Sequence, residues 1–368
     1  MALVRATRDA LLKPLQVVAG IVEKKNTMPI LANVLIQKQG AELRFVATDT
    51  EMQISTSAQL GTDADDMAIT VSARKLIDVL RALPDSNEIS LSVQARKASI
   101  TAGKSRVSLQ TMAAEEFPQV LVQELFTHRL SVPQQAFKHL LNMVSYAMAQ
   151  QDIRYYLNGL LLVTDAHKLK LVATDGHRLA YCDMDLEESM PRQDLIIPRK
   201  TVGEWMRLLQ DVDDPLTLEF GQQRLRASFS GIELISKLIE GKFPDYERVI
   251  PQGLERIATM NRALLASSLQ RASIVTTEKF KGVRLKFEQD ALSIQTNNAD
   301  QEEAFDEIAM SYAAETTEIG FNVQYLLEVL QHLKTEEVCI ALRDGTASAL
   351  ITVPDNAHFK YVVMPMRI

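Results

Sequence analysis

Leu171-Val-Ala-Thr-Asp-Gly-His-Arg-Leu-Ala180 is an apolar run that breaks at Thr174-Asp175-Gly176 and resumes at Leu179. Asp175 and His177 stand two apart, so on a strand they share a face and invite a catalytic reading. The stretch has echoes, however. Phe45-Val-Ala-Thr-Asp49-Thr lies 126 residues upstream, and Ser293-Ile-Gln-Thr-Asn297-Asn lies 122 residues downstream of Asp175. A strand end repeated three times is architecture, and a period of about 120 residues is too long for the usual solenoids. The chain therefore reads as whole domains in series.

Working outward, each repeat opens with a helix-period pattern: Ala10, Leu11, Val17, Val18 and Ile21, then Phe137, Leu140, Leu141, Val144 and Met148, then Leu264, Leu265, Leu269 and Ile274. Strand-like runs follow at 33–37 and 43–47, 159–163 and 169–173, and 283–287 and 292–296. A second helix opens the other half of each unit. Leu76, Ile77, Leu80 and Leu83 recur 250 residues on as Leu326, Leu327, Leu330 and Leu333, and Val202, Met206 and Leu209 fill three of the four middle places. Hairpin patterns close each unit, the last of them before the Asp344-Gly345 turn. The expected domains are 1–125, 126–252 and 253–368, each of two helices on antiparallel strands, an α+β fold.

At 46% hydrophobic and 24% charged, the 368 residues have the composition of a soluble globular protein with material for several cores. Met1-Ala-Leu-Val-Arg5 lacks a signal-peptide pattern and no apolar run approaches membrane-spanning length, so a cytoplasmic protein is expected. Cys182 and Cys339 lie in apolar segments and read as buried thiols in a reducing compartment.

A net charge of −7 argues against nucleic acid, yet the charge is uneven. Helices taken as 8–25, 72–83, 134–149, 199–210, 261–272 and 322–334 hold 14 Lys and Arg against 5 Asp and Glu. Helices often expose Lys and Arg, which is the bland account. The alternative is a shared basic surface facing a polyanion, with acid turned outward. Side by side at about 10 Å, six helices enclose a free radius of about 5 Å, too narrow for duplex DNA, whereas twelve leave about 14 Å. Closure then takes two chains joined head to tail at two identical junctions.

The motifs also carry a resemblance. Gln151-Asp-Ile-Arg-Tyr-Tyr-Leu-Asn-Gly159, Val172-Ala-Thr-Asp-Gly-His-Arg-Leu-Ala180 and Phe243-Pro-Asp-Tyr246 are similar to motifs of the bacterial DNA polymerase III beta subunits, the sliding clamps. So are Glu278-Lys-Phe-Lys-Gly282, Ile319-Gly-Phe-Asn-Val323 and Tyr361-Val-Val-Met-Pro-Met-Arg-Ile368, in family order across the whole chain. The resemblance implies the DNA clamp fold: a homodimeric ring of six domains, with twelve helices lining a hole. It implies no cofactor, no catalysis and no membrane, but sequence-independent tethering of polymerases, clamp loader and repair proteins to double-stranded DNA.

The resemblance further implies a groove for partner peptides. Leu157, Thr174, Gly176, His177, Arg178 and Leu179 would form one side, with Pro244, Arg248 and Val249 beside them. Asn322, Tyr325, Ser348, Val362, Val363, Met364, Pro365, Met366 and Arg367 would complete it. Apolar side chains from separated segments would hold the anchors of an extended peptide, with Arg and Asn at the rim. For DNA it points to Lys25, Gln151, Tyr155 and Tyr156, and the charge argument adds Arg74, Lys75, Arg199 and Lys200. Tyr155 and Tyr156 also read as core aromatics. At the ring junction, Ile274 and Val275 would pack near Val107, with Lys97, Lys104 and Arg106 facing Glu302, Glu303 and Asp306. Lys25 stands where the family commonly has arginine, Val107 where it has an aromatic residue, and Ile368 where it has leucine.

Two rival readings differ in kind. A hydrolase would use Asp175 and His177, but no nucleophile elbow, phosphate loop or metal-spaced histidine pair accompanies them. A three-domain scaffold binding peptides without DNA would share the groove but leave the basic helices unexplained.

Overall fold

Leu76, Ile77 and Leu80 form the buried stripe of one helix, while Arg74, Lys75, Asp78 and Arg81 stay exposed on its other side. This separation recurs along the chain in a computed structural model, which describes residues 2–23, 28–62, 64–84, 88–120, 125–277 and 280–367.

The elements begin with β1 (Ala2–Ala6), α1 (Arg8–Val18), β2 (Asn33–Gln39), β3 (Glu42–Thr48), β4 (Met52–Gln59), β5 (Met67–Ser72) and α2 (Ala73–Ala82). There follow β6 (Ile89–Gln94), β7 (Lys97–Ala102), β8 (Ser105–Met112), β9 (His128–Pro133) and α3 (Gln134–Val144). The long hairpin β10 (Gly159–Thr174) and β11 (Arg178–Pro198) leads to α4 (Arg199–Leu208), β12 (Pro215–Phe220), β13 (Arg224–Phe229), β14 (Ile232–Lys237) and the single turn α5 (Tyr246–Val249). The chain continues through β15 (Arg256–Asn261), α6 (Arg262–Val275), β16 (Gly282–Glu288), β17 (Ala291–Asn297), β18 (Glu303–Ser311) and β19 (Thr317–Asn322). It ends with α7 (Val323–His332), β20 (Glu337–Leu342), β21 (Ala349–Val353) and β22 (Asn356–Val363).

Two compact units result. Met1–Phe137 and Gly203–Leu238 make one; Lys138–Val202 and Ile239–Ile368 make the other. The first unit holds a 12-stranded sheet ordered β1-β6-β7-β8-β5-β2-β3-β4-β14-β13-β12-β9. The second holds a 10-stranded sheet ordered β10-β11-β22-β21-β20-β15-β18-β17-β16-β19. All strand pairings given for the described residues are antiparallel. Each sheet runs across a boundary of the sequence repeat: β14 pairs β4 with Met52 opposite Ser236, and β22 pairs β11 with Arg178 opposite Val363. The second half of the middle repeat, together with β9, thus joins the first repeat, and the β10–β11 hairpin of its first half joins the third.

Helix ends follow local chemistry. Thr7, Ser72, Asn261 and Asn322 precede α1, α2, α6 and α7, and each side-chain oxygen accepts an amide of the first turn. The far ends use arginine. Arg207 donates to the carbonyls of Gln16 and Val17 at the end of α1, Arg262 to Leu330 and Thr335 around the end of α7, and Arg199 to Met148 and Ala149. Gly20 makes room for the first of these, because a Cβ there would overlap Arg207 and Glu204.

Some expectations shift. The helix read as 8–25 stops at Val18, and a 3-10 turn, Ala19–Ile21, follows it. Leu264 and Ile274 do not join the core of α6: they are exposed, and Leu265, Ser268, Leu269 and Ala272 are buried instead. Cys182 is buried as expected, Cys339 only partly, and both are free thiols. No helix among the described residues is long and apolar enough to cross a membrane.

Candidate functional site

The Thr174–Arg178 break is a hydrogen-bonded turn joining β10 to β11. Thr174 Oγ1 donates to the Arg178 carbonyl (2.6 Å) and accepts from the Gly176 amide (3.1 Å). The Asp175 carboxylate accepts from the amides of His177 (2.9 Å) and Arg178 (3.1 Å). The first repeat builds the same turn 126 residues earlier, with Thr48 bonded to Met52 and Thr50, and Asp49 accepting from Glu51 and Met52. In the third repeat the role moves one place, from the expected Asn297 to Asn298, whose Oδ1 accepts from Asp300 and Glu302. Asp175 is therefore a turn former. Among the described residues no hydrogen bond joins it to the His177 ring.

The third position of the turn needs a positive φ. Gly176 supplies it at 89°, while Thr50 adopts 79° in the first repeat. Left-handed backbone is costly for a β-branched residue. Replacing Thr50 by glycine should stabilise the first unit by about 0.5–1 kcal/mol, read as a higher denaturant midpoint at unchanged slope. Gly176 has a second use: a Cβ there would lie 2.8 Å from the Arg154 guanidinium. Arg154 sits on the turn, donating to the Asp175 carbonyl (3.2 Å) and doubly to Asp152 (3.0 and 2.8 Å). Those bonds hold the Asp152 carboxyl down to about 2.

Arg178 is buried, 7% exposed, and corrects the expectation that it lies at a groove rim. Its guanidinium donates to Asp175 (3.2 Å), Glu328 of α7 (2.5 Å) and the Tyr146 carbonyl (2.8 Å), and lies 4.5 Å from the centre of the Tyr325 ring. It ties the turn to α7 and to the segment after α3. The neighbouring Tyr146 ring stacks on His332, and burial pushes its hydroxyl well above the ordinary tyrosine range.

Beyond the turn, Leu179 pairs with Val362 and Arg178 with Val363, so strands from distant segments lie side by side. Leu157, Leu179 and Val362 are buried in one apolar cluster with Val172, Phe243 and Tyr246. The terminal segment is held against both flanks: the Met364 amide donates to the His177 carbonyl (3.0 Å) and the Met366 amide to the Gly320 carbonyl (2.7 Å). Met364, Val249, Pro244, Arg248 and His177 are exposed, and Pro365 and Met366 are partly so. Thr174 is buried at the turn, Ser348 precedes β21 beside Val363, and Asn322 is committed to capping α7. Of the expected residues, Leu157, Leu179 and Val362 thus share one apolar cluster within the second unit, with Met364 hydrogen-bonded beside it to His177.

The other candidates divide. Arg74, Lys75, Gln151, Arg199 and Lys200 are exposed. Arg74 lies 3.9 Å from Asp78, and Arg199 is engaged with two carbonyls. Tyr155 is 58% exposed, contrary to a core role, while Tyr156 packs partly buried against the groove cluster. Lys25 and Ile368 lie outside the described residues. Lys97, Lys104, Arg106, Glu302 and Glu303 are exposed, Val107 and Val275 partly buried, and Ile274 is 81% exposed. Asp306 does not face outward. It shares the helix-facing side of β18 with Ile308 and pairs with Arg271, which lowers its pKa.

Profiles of the DNA polymerase III beta subunit match the chain three times: the N-terminal domain over residues 3–121, the central domain over 131–245 and the C-terminal domain over 247–367. The chain belongs to the beta sliding clamp family. It is 43% identical over 362 residues to the beta sliding clamp of Pseudomonas putida, covering 98% of each chain, and 40% identical over 361 residues to that of Escherichia coli K12, again 98% of each. A Pseudomonas aeruginosa sliding clamp bound to griselimycin superposes with a TM-score of 0.96 at 42% identity, covering 100% of both chains. The α+β clamp fold that the resemblance implied, in three domains as the repeat indicated, is the fold found. Family position alone does not single out the ties that hold the groove here: Glu328, Tyr146 and Arg154 contact the turn from 150, 32 and 21 residues away.

Proposed function

We propose that this chain is a DNA sliding clamp that closes as a head-to-tail homodimer around duplex DNA and confers processivity on the replicative polymerase. Its domains are 1–125, 126–252 and 253–368, and its role is cytoplasmic and non-catalytic. Partner proteins bind through short peptides laid in the groove between the Thr174–Leu179 turn and the Val362–Arg367 tail. The observation that carries this reading is that groove: an apolar floor of Leu157, Leu179 and Val362 with Met364, Pro244 and Val249 exposed at its edge.

Two strand edges supply the junctions. β8 is paired by β7 along its length, but β5 takes only its last two residues. β18 is paired by β17, and β15 takes only Met310 and Ser311. Open edges of this kind invite a further strand. We place β8 of one copy against β18 of the other. Val107 and Leu109, which share the inner face of β8 with Ile100 and Ala98 of β7, then meet Ile274 at the end of α6. On the outer face Arg106 meets Glu303, Phe305 and Glu307. Phe305, 64% exposed, and Glu307 join the expected set, and Asp306 leaves it.

Topology gives the deciding experiment. Protein loaded on nicked circular DNA should stay bound, and linearising that DNA should release it from the ends. Equal residence on both would remove the clamp reading. Griselimycin probes the groove separately: Met364→Ala with Met366→Ala should weaken its binding tenfold or more while residence on circular DNA is unchanged. Loss of both together would mean that the tail supports the fold and not the groove alone.

A further inference from the structure

We propose that the partner-binding surface does not end at the groove but continues across Pro244 into a second pocket that takes one apolar side chain from the segment flanking the bound motif. This rests on the groove reading above and extends it.

The pocket is a cleft of about 350 Å³ between the end of the β10–β11 hairpin and the Gly241–Glu247 segment. Its floor is Leu161, Ile196, Phe243 and Tyr246, which belong to the same apolar cluster as groove residues Leu157, Leu179 and Val362. Pro244 lines the cleft and stands exposed at the groove, so one continuous apolar layer underlies both. A polypeptide leaving the groove over Pro244 meets the cleft next.

The rim decides the chemistry of the occupant. Arg192 is paired with Asp194 (3.2 Å), Asp245 with Arg248 (2.9 Å), and Glu247 accepts from the Tyr246 hydroxyl (3.3 Å). A charged ligand would have to break these contacts, whereas a neutral one leaves them in place. Lys242 is the remaining rim cation, and among the described residues no ion pair engages it. The cleft therefore suits a leucine- to tryptophan-sized side chain whose neighbouring main-chain carbonyl meets the Lys242 ammonium.

The test uses the full-length protein and a random 16-residue phage-displayed peptide library. Asp194→Trp closes the cleft from an exposed strand position and touches no groove residue. Peptides selected on the wild-type protein and displaced by griselimycin should share an apolar residue at a fixed distance from the groove motif. They should bind Asp194→Trp roughly ten- to a hundredfold more weakly, the worth of burying one such side chain, while griselimycin binds both proteins alike. The same consensus and affinity on both proteins would overturn the second pocket and leave the groove standing. Peptides that griselimycin cannot displace would overturn both.

Discussion

Ile274→Asp should convert the dimer to a species of 41.2 kDa and abolish residence on circular DNA. Ile274 is 81% exposed in the single chain, so the substitution leaves the fold intact and acts only where two copies meet. Placing a carboxylate against Val107 and Leu109 removes an apolar anchor and buries an unpaired charge, which together weaken association by roughly a thousandfold. Leu109→Asp attacks the same junction from the other edge. In the proposed ring there are two such junctions, and each would take Ile274 from one copy and Leu109 from the other. Mixing the two variants therefore leaves one junction native and damages the other twice. Sedimentation of the mixture should recover a species of doubled mass, and residence on circular DNA should stay lost. A mixture that regained residence would show that Ile274 and Leu109 do not meet.

Arg178→Met should lower the thermal midpoint of the second unit, cost about 2–4 kcal/mol and weaken griselimycin binding more than tenfold. The guanidinium satisfies Asp175, Glu328 and the Tyr146 carbonyl at once, and its loss strands two carboxylates at a partly buried site. Arg178→Lys should recover little, because an ammonium cannot fork to partners lying in different directions. Adding Glu328→Met to Arg178→Met should restore part of the stability by removing one stranded charge, but not the affinity, because the turn would still lack its tie to α7. Unchanged affinity in Arg178→Met would mean that Asp175 alone fixes the turn.

These two residues mark what could be read from sequence. The Thr174-Asp175 turn was legible because its chemistry is local and copied at Thr48-Asp49, and the helix stripes at Leu76 and Leu326 because burial obeys the helical period. The exposure of Phe305 was also open to reading: Ile308 and Met310 set the inward parity of β18, and Phe305 falls on the opposite one, among Glu303 and Glu307. The same parity turns Asp306 inward. Arg178 gave no comparable signal. A charged residue beside an exposed histidine reads as rim, and Glu328, 150 positions away, becomes its partner only through tertiary packing. The sheets likewise cross the repeat at β4–β14 and β11–β22, a choice of neighbour that periodicity does not encode.

The arginines that hold helix ends bear on how the molecule would move. Arg199, Arg207 and Arg262 commit N–H groups to carbonyl oxygens, so fewer direct phosphate contacts are open to the helices than the 14 basic residues of the expected helix ranges suggest. Each phosphate neutralised releases condensed cations and steepens the fall of affinity with salt, by about 0.9 in log–log slope. Each contact withdrawn in this way makes the slope shallower and weakens the preference for one register along the duplex over the next. The free-energy profile along the DNA axis is then smoother, and friction lower, than the basic count alone implies.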